Sequence, residues 1–284
     1  MIDLRLLPPV LLAAFLFNAP ARAAGLNDAE AVPHLDNAGR SAYREFLLAG
    51  SHRAFAIAPG GAWTWNGNGS SGESVAEDTL QTCEFDNGHA CILYAQDDKV
   101  VFDKKVWSGL WGPYLDRSAA DKANIGLKRG ERFYDLAFKD PQGKAMRLSD
   151  LRGKVVVLHF WGSWCPPCRR EMPEMQQLHR QLGESSEIKM ILLQVREDIG
   201  TAGKWARQQR LRLPLYDSGV SKKANDSLPL AGGKSIHDRY IAEVFPTTYI
   251  LDKHGIVVFA NIGPISRWSE YLPLLHDVAA HSGK

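Results

Sequence analysis

The chain has 284 residues, 45% hydrophobic and 23% charged, which excludes a disordered or low-complexity protein and allows two modest domains with separate cores. Its 34 basic and 32 acidic side chains leave a net charge of +2. No field of that size recruits nucleic acid or an anionic membrane.

The first feature along the chain is an apolar run over residues 6–17, broken by Pro8 and Pro9 and followed by Ala21-Arg22-Ala23, a small-x-small cleavage pattern. It predicts a secretory signal peptide over residues 1–23 and a periplasmic protein. An uncleaved anchor is the alternative, because Asp3 offsets Arg5 in a thin basic leader. The run is short for a bilayer span, which takes about 20 residues. Residues 24–37 are small, polar and aperiodic, and are expected to be flexible.

A small α+β domain is expected over residues 38–120. Tyr43, Phe46 and Leu47 lie at helical spacing, and residues 54–58 and 62–65 read as short strands around the turn Pro59-Gly60-Gly61. Residues 73–80 are again helical, and 92–94 with 100–102 suggest a second hairpin. Residues 107–124 read as a linker whose Trp107 and Trp111 pack against one domain, since tryptophan buries a large area wherever it can.

Over residues 121–284 the expected order is strand, helix, strand, helix, then two strands and a helix. Residues 155–161 form a continuous apolar run suited to a strand buried on both faces. A helix is expected at 169–182, a strand at 188–195 and a helix at 201–209. A hairpin follows at 247–251 and 256–260, then a closing helix at 268–280. No internal repeat is present.

The four cysteines form two pairs close in sequence, Cys83 with Cys91 and Cys165 with Cys168, and export would put them where disulfides persist. A C-x-x-C between a buried strand and a helix sets the first sulfur at the helix N-terminus. There, unpaired N–H groups and the helix dipole favour thiolate. Cys165 is therefore the expected nucleophile and Cys168 the resolving thiol, in a cycle that passes through a mixed disulfide with a client protein. Pro166 fits the first helical turn, where its missing N–H costs nothing. A structural zinc would need four ligands, and the chain offers neither a second C-x-x-C nor a histidine pair at metal spacing. A peroxidase reading is weaker, because Leu158 and Gly162 stand where a peroxiredoxin carries Pro and Thr before its cysteine. No cofactor or metal is implied.

Three segments carry a family resemblance: Leu148-Ser149-Asp150-Leu151-Arg152-Gly153-Lys154, Phe160-Trp161-Gly162-Ser163-Trp164-Cys165-Pro166-Pro167-Cys168, and Phe245-Pro246-Thr247-Thr248-Tyr249-Ile250-Leu251-Asp252. Together they resemble the TlpA/ResA branch of thioredoxin-like proteins over residues 126–284. The resemblance implies a thioredoxin-like α/β fold and a protein-disulfide reductase fed by a membrane electron donor. Clients of the cytochrome c maturation or copper-handling kind would fit it. It further implies that Pro246 is a cis-proline facing Cys165, holding a client backbone there and keeping metals out. Trp164, Pro166, Pro167 and Phe245 would line the client site.

Two departures stand out. His159 occupies the position six before Cys165 where thioredoxins carry a buried Asp, and it reads as a core histidine with proton transfer as the alternative. Members of this branch often place a Glu after the third strand, and Glu197 in Val195-Arg196-Glu197-Asp198 is a candidate proton acceptor near Cys168, or else a solvated loop carboxylate. Met172 and Met175, beside Glu171 and Glu174, read as core packing in preference to copper ligands. Residues 217–239 look like an insertion that would shape partner choice or simply be solvated.

Cys83 and Cys91 bracket a turn-forming stretch lacking the strand-to-helix context that activates a thiol, so a structural disulfide is expected there. The alternative reading of the whole chain is a binding or tethering protein whose N-terminal domain carries the function. Trp63 and Trp65, on one face of a strand, are its main support.

Overall fold

The structure is a computed structural model, described here for residues 25–183, 187–220, 226–265 and 267–283. The expected signal peptide over residues 1–23 lies outside the described residues. Among those described, no helix is long and apolar enough to cross a membrane.

Two sheets organise the chain. The first holds β1 (Ala54–Ile57), β2 (Trp63–Asn66), β3 (Ile92–Gln96) and β4 (Lys99–Val100) in the order β2-β1-β3-β4, antiparallel throughout. Helix α1 (Asn37–Leu48) precedes it and α2 (Gly72–Asn87) is inserted between β2 and β3. Asp36 caps α1 by accepting the Gly39 N–H at 2.9 Å, and Ser71 caps α2 through the Ser74 N–H at 3.1 Å, each satisfying an otherwise orphaned donor. Tyr43 and Phe46 of α1 meet Phe55 of β1 edge-on at 5.0 and 5.7 Å. Helix α2 runs seven residues past its expected end, so Cys83 lies on a helix and only the latter part of the stretch before Cys91 is a turn.

Residues 25–37 are packed, contrary to the flexible segment expected. Ala29, Val32 and Leu35 are buried, and the Tyr43 hydroxyl donates to the Leu26 carbonyl at 2.7 Å. Isolated apolar side chains in an irregular segment bury one at a time, so no periodicity announces them. The expected linker is likewise ordered, with α3 (Lys104–Ser108) and α4 (Arg117–Lys122). Trp107 and Trp111 are buried and each stands 4.9 Å from His34. Trp107 also meets Phe102 at 6.0 Å, within the first unit, whereas Trp111 reaches across: its Nε1 donates to the Tyr114 hydroxyl at 2.8 Å, which donates to Asp277 at 3.0 Å near the C-terminus.

The second sheet contains β5 (Ala137–Lys139), β6 (Ala145–Arg147), β7 (Val155–Trp161), β8 (Ile188–Gln194), β9 (Leu215–Asp217), β12 (Thr247–Leu251) and β13 (Val257–Ile262), and a separate hairpin pairs β10 (Ser227–Pro229) with β11 (Ser235–His237). Its order is β13-β12-β7-β8-β9-β5-β6, with β7, β8 and β9 parallel and β12 and β13 antiparallel to their neighbours. The helices are α5 (Pro166–Leu182), α6 (Ile199–Gln208), α7 (Asp238–Ile241) and α8 (Tyr271–His281). All seven residues of β7 are buried, as the apolar run predicts. This is a thioredoxin-like α/β fold. Strands β5, β6, β9, β10 and β11 were not expected; each is three residues long, too short for an alternating pattern to register.

The two sheets meet where the Gly60-Gly61 turn presses on the start of α8. Both glycines have φ near +95°, and a Cβ on Gly61 would fall 2.3 Å from the His34 carbonyl oxygen and 2.7 Å from that of Glu270. Only glycine permits that approach.

Candidate active site

Strand β7 delivers the chain into Gly162-Ser163-Trp164, and α5 begins immediately after Cys165, which is its N-cap. Pro166 and Pro167 occupy the first helical positions, where no amide donor is needed. The N–H of Cys168 is directed at Cys165 Sγ at 3.2 Å. That donor and the positive helix end would favour a thiolate at Cys165 once the bond is opened. Cys165 and Cys168 are joined by a disulfide, with Cα atoms 5.3 Å apart; Cys165 is 3% exposed and Cys168 fully buried.

The Phe245-Pro246 peptide is cis, and the Phe245 carbonyl oxygen lies 3.5 Å from Cys165 Sγ, so the proline turn faces the outer sulfur. Trp164 is 41% exposed, donates from Nε1 to the Val195 carbonyl at 3.0 Å and meets Phe245 edge-on at 5.5 Å. Its indole folds back so closely that a Cβ on Gly162 would sit 2.1 Å from Nε1. The guanidinium groups of Arg196 and Arg239 stand 5.5 and 5.6 Å from the Phe245 ring. Asp238, fully buried, holds Arg196 through two hydrogen bonds of 2.6 and 2.7 Å, which raise the guanidinium pKa further. Trp164, Phe245, Pro246 and both cysteines are thus brought together. Arg196 and Arg239 join them from positions that sequence reasoning did not single out.

Glu197 is buried, not a solvated loop carboxylate, and it accepts from the backbone N–H and the hydroxyl of Ser163, each at 2.5 Å. Both oxygens are directed at the turn leading into Cys165. A second buried carboxylate, Glu171, 5% exposed, lies one helical turn beyond Cys168 on the buried face that also carries Met172 and Met175. Glu171 Oε1 lies 3.0 Å from His159 Nε2, while His159 Nδ1 is 2.9 Å from the Thr248 hydroxyl. The Nε2 contact is close but poorly aligned for a hydrogen bond. The sequence held a cue for Glu171, its i, i+3 spacing from Cys168, which outweighs the metal context in which it first drew notice. Met172 and Met175 are fully buried in the core.

Among the described residues, Asp226, His237 and Asp238 form the one grouping of metal-type ligands. Arg196 pairs with both of its carboxylates, at 3.4 Å from Asp226 and 2.6 Å from Asp238, so it is an ion-pair cluster. The second disulfide joins Cys83 of α2 to Cys91, just ahead of β3, with Cα atoms 6.2 Å apart. Neither of its sulfurs caps a helix N-terminus.

The family model described as the AhpC/TSA family matches residues 129–260. Thioredoxin-like protein YneN of Bacillus subtilis (strain 168) is 31% identical over 158 residues, covering 55% of this chain and 83% of that protein. Thiol-disulfide oxidoreductase ResA of Halalkalibacterium halodurans is 29% identical over 168 residues, covering 58% of this chain and 84% of that protein. Among solved structures, StoA from Bacillus subtilis is similar at a TM-score of 0.38 and 22% identity, over 49% of this chain and 94% of StoA.

Proposed function

The chain belongs to the TlpA/ResA-like family of thioredoxin-like thiol-disulfide oxidoreductases, and from that premise we propose that it is an exported reductase of protein disulfides in the cell envelope. The observation that carries this reading is Cys165 at the N-terminus of α5, with the Cys168 N–H at 3.2 Å and the Phe245 carbonyl at 3.5 Å.

In the proposed cycle the reduced protein presents Cys165 as thiolate. It attacks one sulfur of the client disulfide, forming a mixed disulfide and releasing the other client sulfur as a thiolate that takes up a proton. Cys168 then loses its proton to the buried Glu171–His159 pair and attacks Cys165 Sγ. The second client thiolate leaves and is protonated, and the protein is left with the Cys165–Cys168 bond. Two electrons pass to the client. A dithiol electron donor in the membrane restores the reduced form. Glu197 serves in this scheme by fixing the Ser163 turn, and Trp164, Pro166, Pro167, Phe245 and Pro246 line the client path. Cytochrome c maturation or copper-handling proteins are the proposed client classes.

The domain division at residue 120 belongs to the same reading. It falls within α4, and the two sheets on either side share no strand. Residues 25–37 pack with the first unit.

The test is the reduction potential of the Cys165–Cys168 pair, measured by equilibration against dithiothreitol and glutathione buffers. Reference dithiols run from about −270 mV for thioredoxin to about −120 mV for a strong periplasmic oxidant. A value near the former supports a reductase, and one near the latter would make the protein an oxidant.

A further inference from the structure

We propose that His89, in the N-terminal unit, is a positioning residue for the Phe245-Pro246 turn, and that the first unit thereby sets how the redox site receives a polypeptide disulfide. This rests on the reading of the chain as a reductase of protein disulfides.

The connection is a series of hydrogen bonds. His89 follows the C-cap of α2 and lies inside the loop closed by Cys83 and Cys91, so the disulfide fixes its backbone. Its ring stands 4.7 Å from Phe259 of β13, and Nε2 is 2.9 Å from Asn261 Oδ1. Asn261 is 7% exposed and its amide end donates to the Gly263 carbonyl at 2.8 Å. The Gly263 N–H in turn donates to the Pro246 carbonyl at 2.9 Å. Pro246 follows directly on Phe245, whose carbonyl oxygen faces Cys165 Sγ at 3.5 Å.

The direction of each bond is fixed by chemistry. Since the Asn261 amide nitrogen is committed to Gly263, its Oδ1 can only accept, and His89 must supply the N–H at Nε2. Burial lowers the His89 pKa, so a neutral ring with one N–H suits the site. Asn261 is paired across the sheet with Thr248, two residues after Pro246, and Thr248 contacts His159. Any tilt of the β13 end relative to β12 therefore displaces the carbonyl against which a client backbone would lie. A small disulfide needs only the Cys165 sulfur, whereas a polypeptide also needs that backbone edge. The N-terminal unit should then matter for peptide substrates alone.

The test compares the full chain with His89→Phe, which keeps a ring against Phe259 but has no donor, and with His89→Gln, which keeps a donor. Each is assayed on a peptide disulfide and on hydroxyethyl disulfide, with dithiothreitol as reductant. His89→Phe should lower kcat/KM for the peptide about fivefold, through KM, the scale expected for losing one hydrogen bond. Its rate on hydroxyethyl disulfide should match wild type, and His89→Gln should recover the peptide rate. Equal peptide rates in wild type and His89→Phe would overturn the inference, as would an equal loss on both substrates, which marks a structural role. If wild type reduced hydroxyethyl disulfide but no peptide, the parent reading would fail and take the inference with it.

Discussion

Glu171 Oε1 stands 3.0 Å from His159 Nε2, and the other oxygen of the same carboxylate accepts the Ile265 N–H at 2.9 Å. Both side chains are buried, one turn of α5 beyond Cys168 and on the strand that ends at the redox turn. A histidine on β7 therefore faces a carboxylate on α5.

The first prediction follows for Glu171→Gln. If the pair accepts the Cys168 proton, the substitution slows resolution of the mixed disulfide by about a hundredfold, the lower range for general-base catalysis. Attack by Cys165 stays near its wild-type rate. Rapid-quench alkylation during a single turnover reads both steps, and the mixed disulfide should accumulate. Unchanged resolution would remove Glu171 from the mechanism.

Substituting the cysteines separates their roles. Cys168→Ser should leave a client trapped as a mixed disulfide on Cys165, visible by non-reducing mass analysis. Cys165→Ser should trap nothing and lower activity to background while the protein remains folded. A cellular function unaffected by Cys165→Ser would favour the N-terminal unit as the functional part.

Glu197 is predicted to act through stability. Glu197→Ala leaves the half-buried Ser163 N–H and hydroxyl without their acceptors, costing about 1 kcal/mol in a urea melt. Glu197→Gln retains one acceptor and can donate to the hydroxyl oxygen, so it should cost less than half as much. If Gln were as damaging as Ala, the negative charge would matter more than the hydrogen bonds.

The two disulfides should differ in lability although both are buried, because only Cys165 lies at a helix N-terminus. Graded dithiothreitol followed by alkylation and mapping should show Cys165–Cys168 opening first. Replacing Cys83 and Cys91 together with Ala should cost about 2.5 kcal/mol, the chain-entropy value for closing so short a loop.

Much of this arrangement was legible because the signals were local. The apolar run of β7, the two prolines after Cys165 and the C-x-x-C itself placed the nucleophile at a helix end before any fold was known. Ser163 with Glu197 was half legible: the carboxylate drew notice, but its partner lies 34 residues away and only the fold reveals it. The His159–Glu171 contact was hidden for the same reason, since a strand residue and a helix residue meet through packing that no spacing rule encodes. His89 with Asn261, 172 residues apart, lies further still beyond sequence patterns. The burial of Ala29, Val32 and Leu35 escaped because hydrophobic burial needs area, not periodicity.

The last prediction concerns Glu270, whose backbone oxygen receives the Gly61 turn. Burial pushes its carboxyl pKa up to about 8, with Arg267 opposing the shift and Asp36 and Glu174 adding to it. Arg267 is 2.8 Å away but partly in solvent, so it offsets the burial only in part. The folded protein therefore holds a proton that the unfolded chain has lost once pH exceeds the ordinary carboxylate value of 4.5. The contribution is fully present below that value and is lost as pH rises through about 8. At about 1.4 kcal/mol per pKa unit, the total is a few kcal/mol at most. Urea melts at pH 5, 7 and 9 should show stability falling, and Glu270→Gln, which cannot ionise, should flatten that fall and be the more stable protein at pH 9. Parallel pH profiles for the two proteins would mean that the carboxylate ionises at its ordinary value, with the contact around Gly61 open enough to hydrate it.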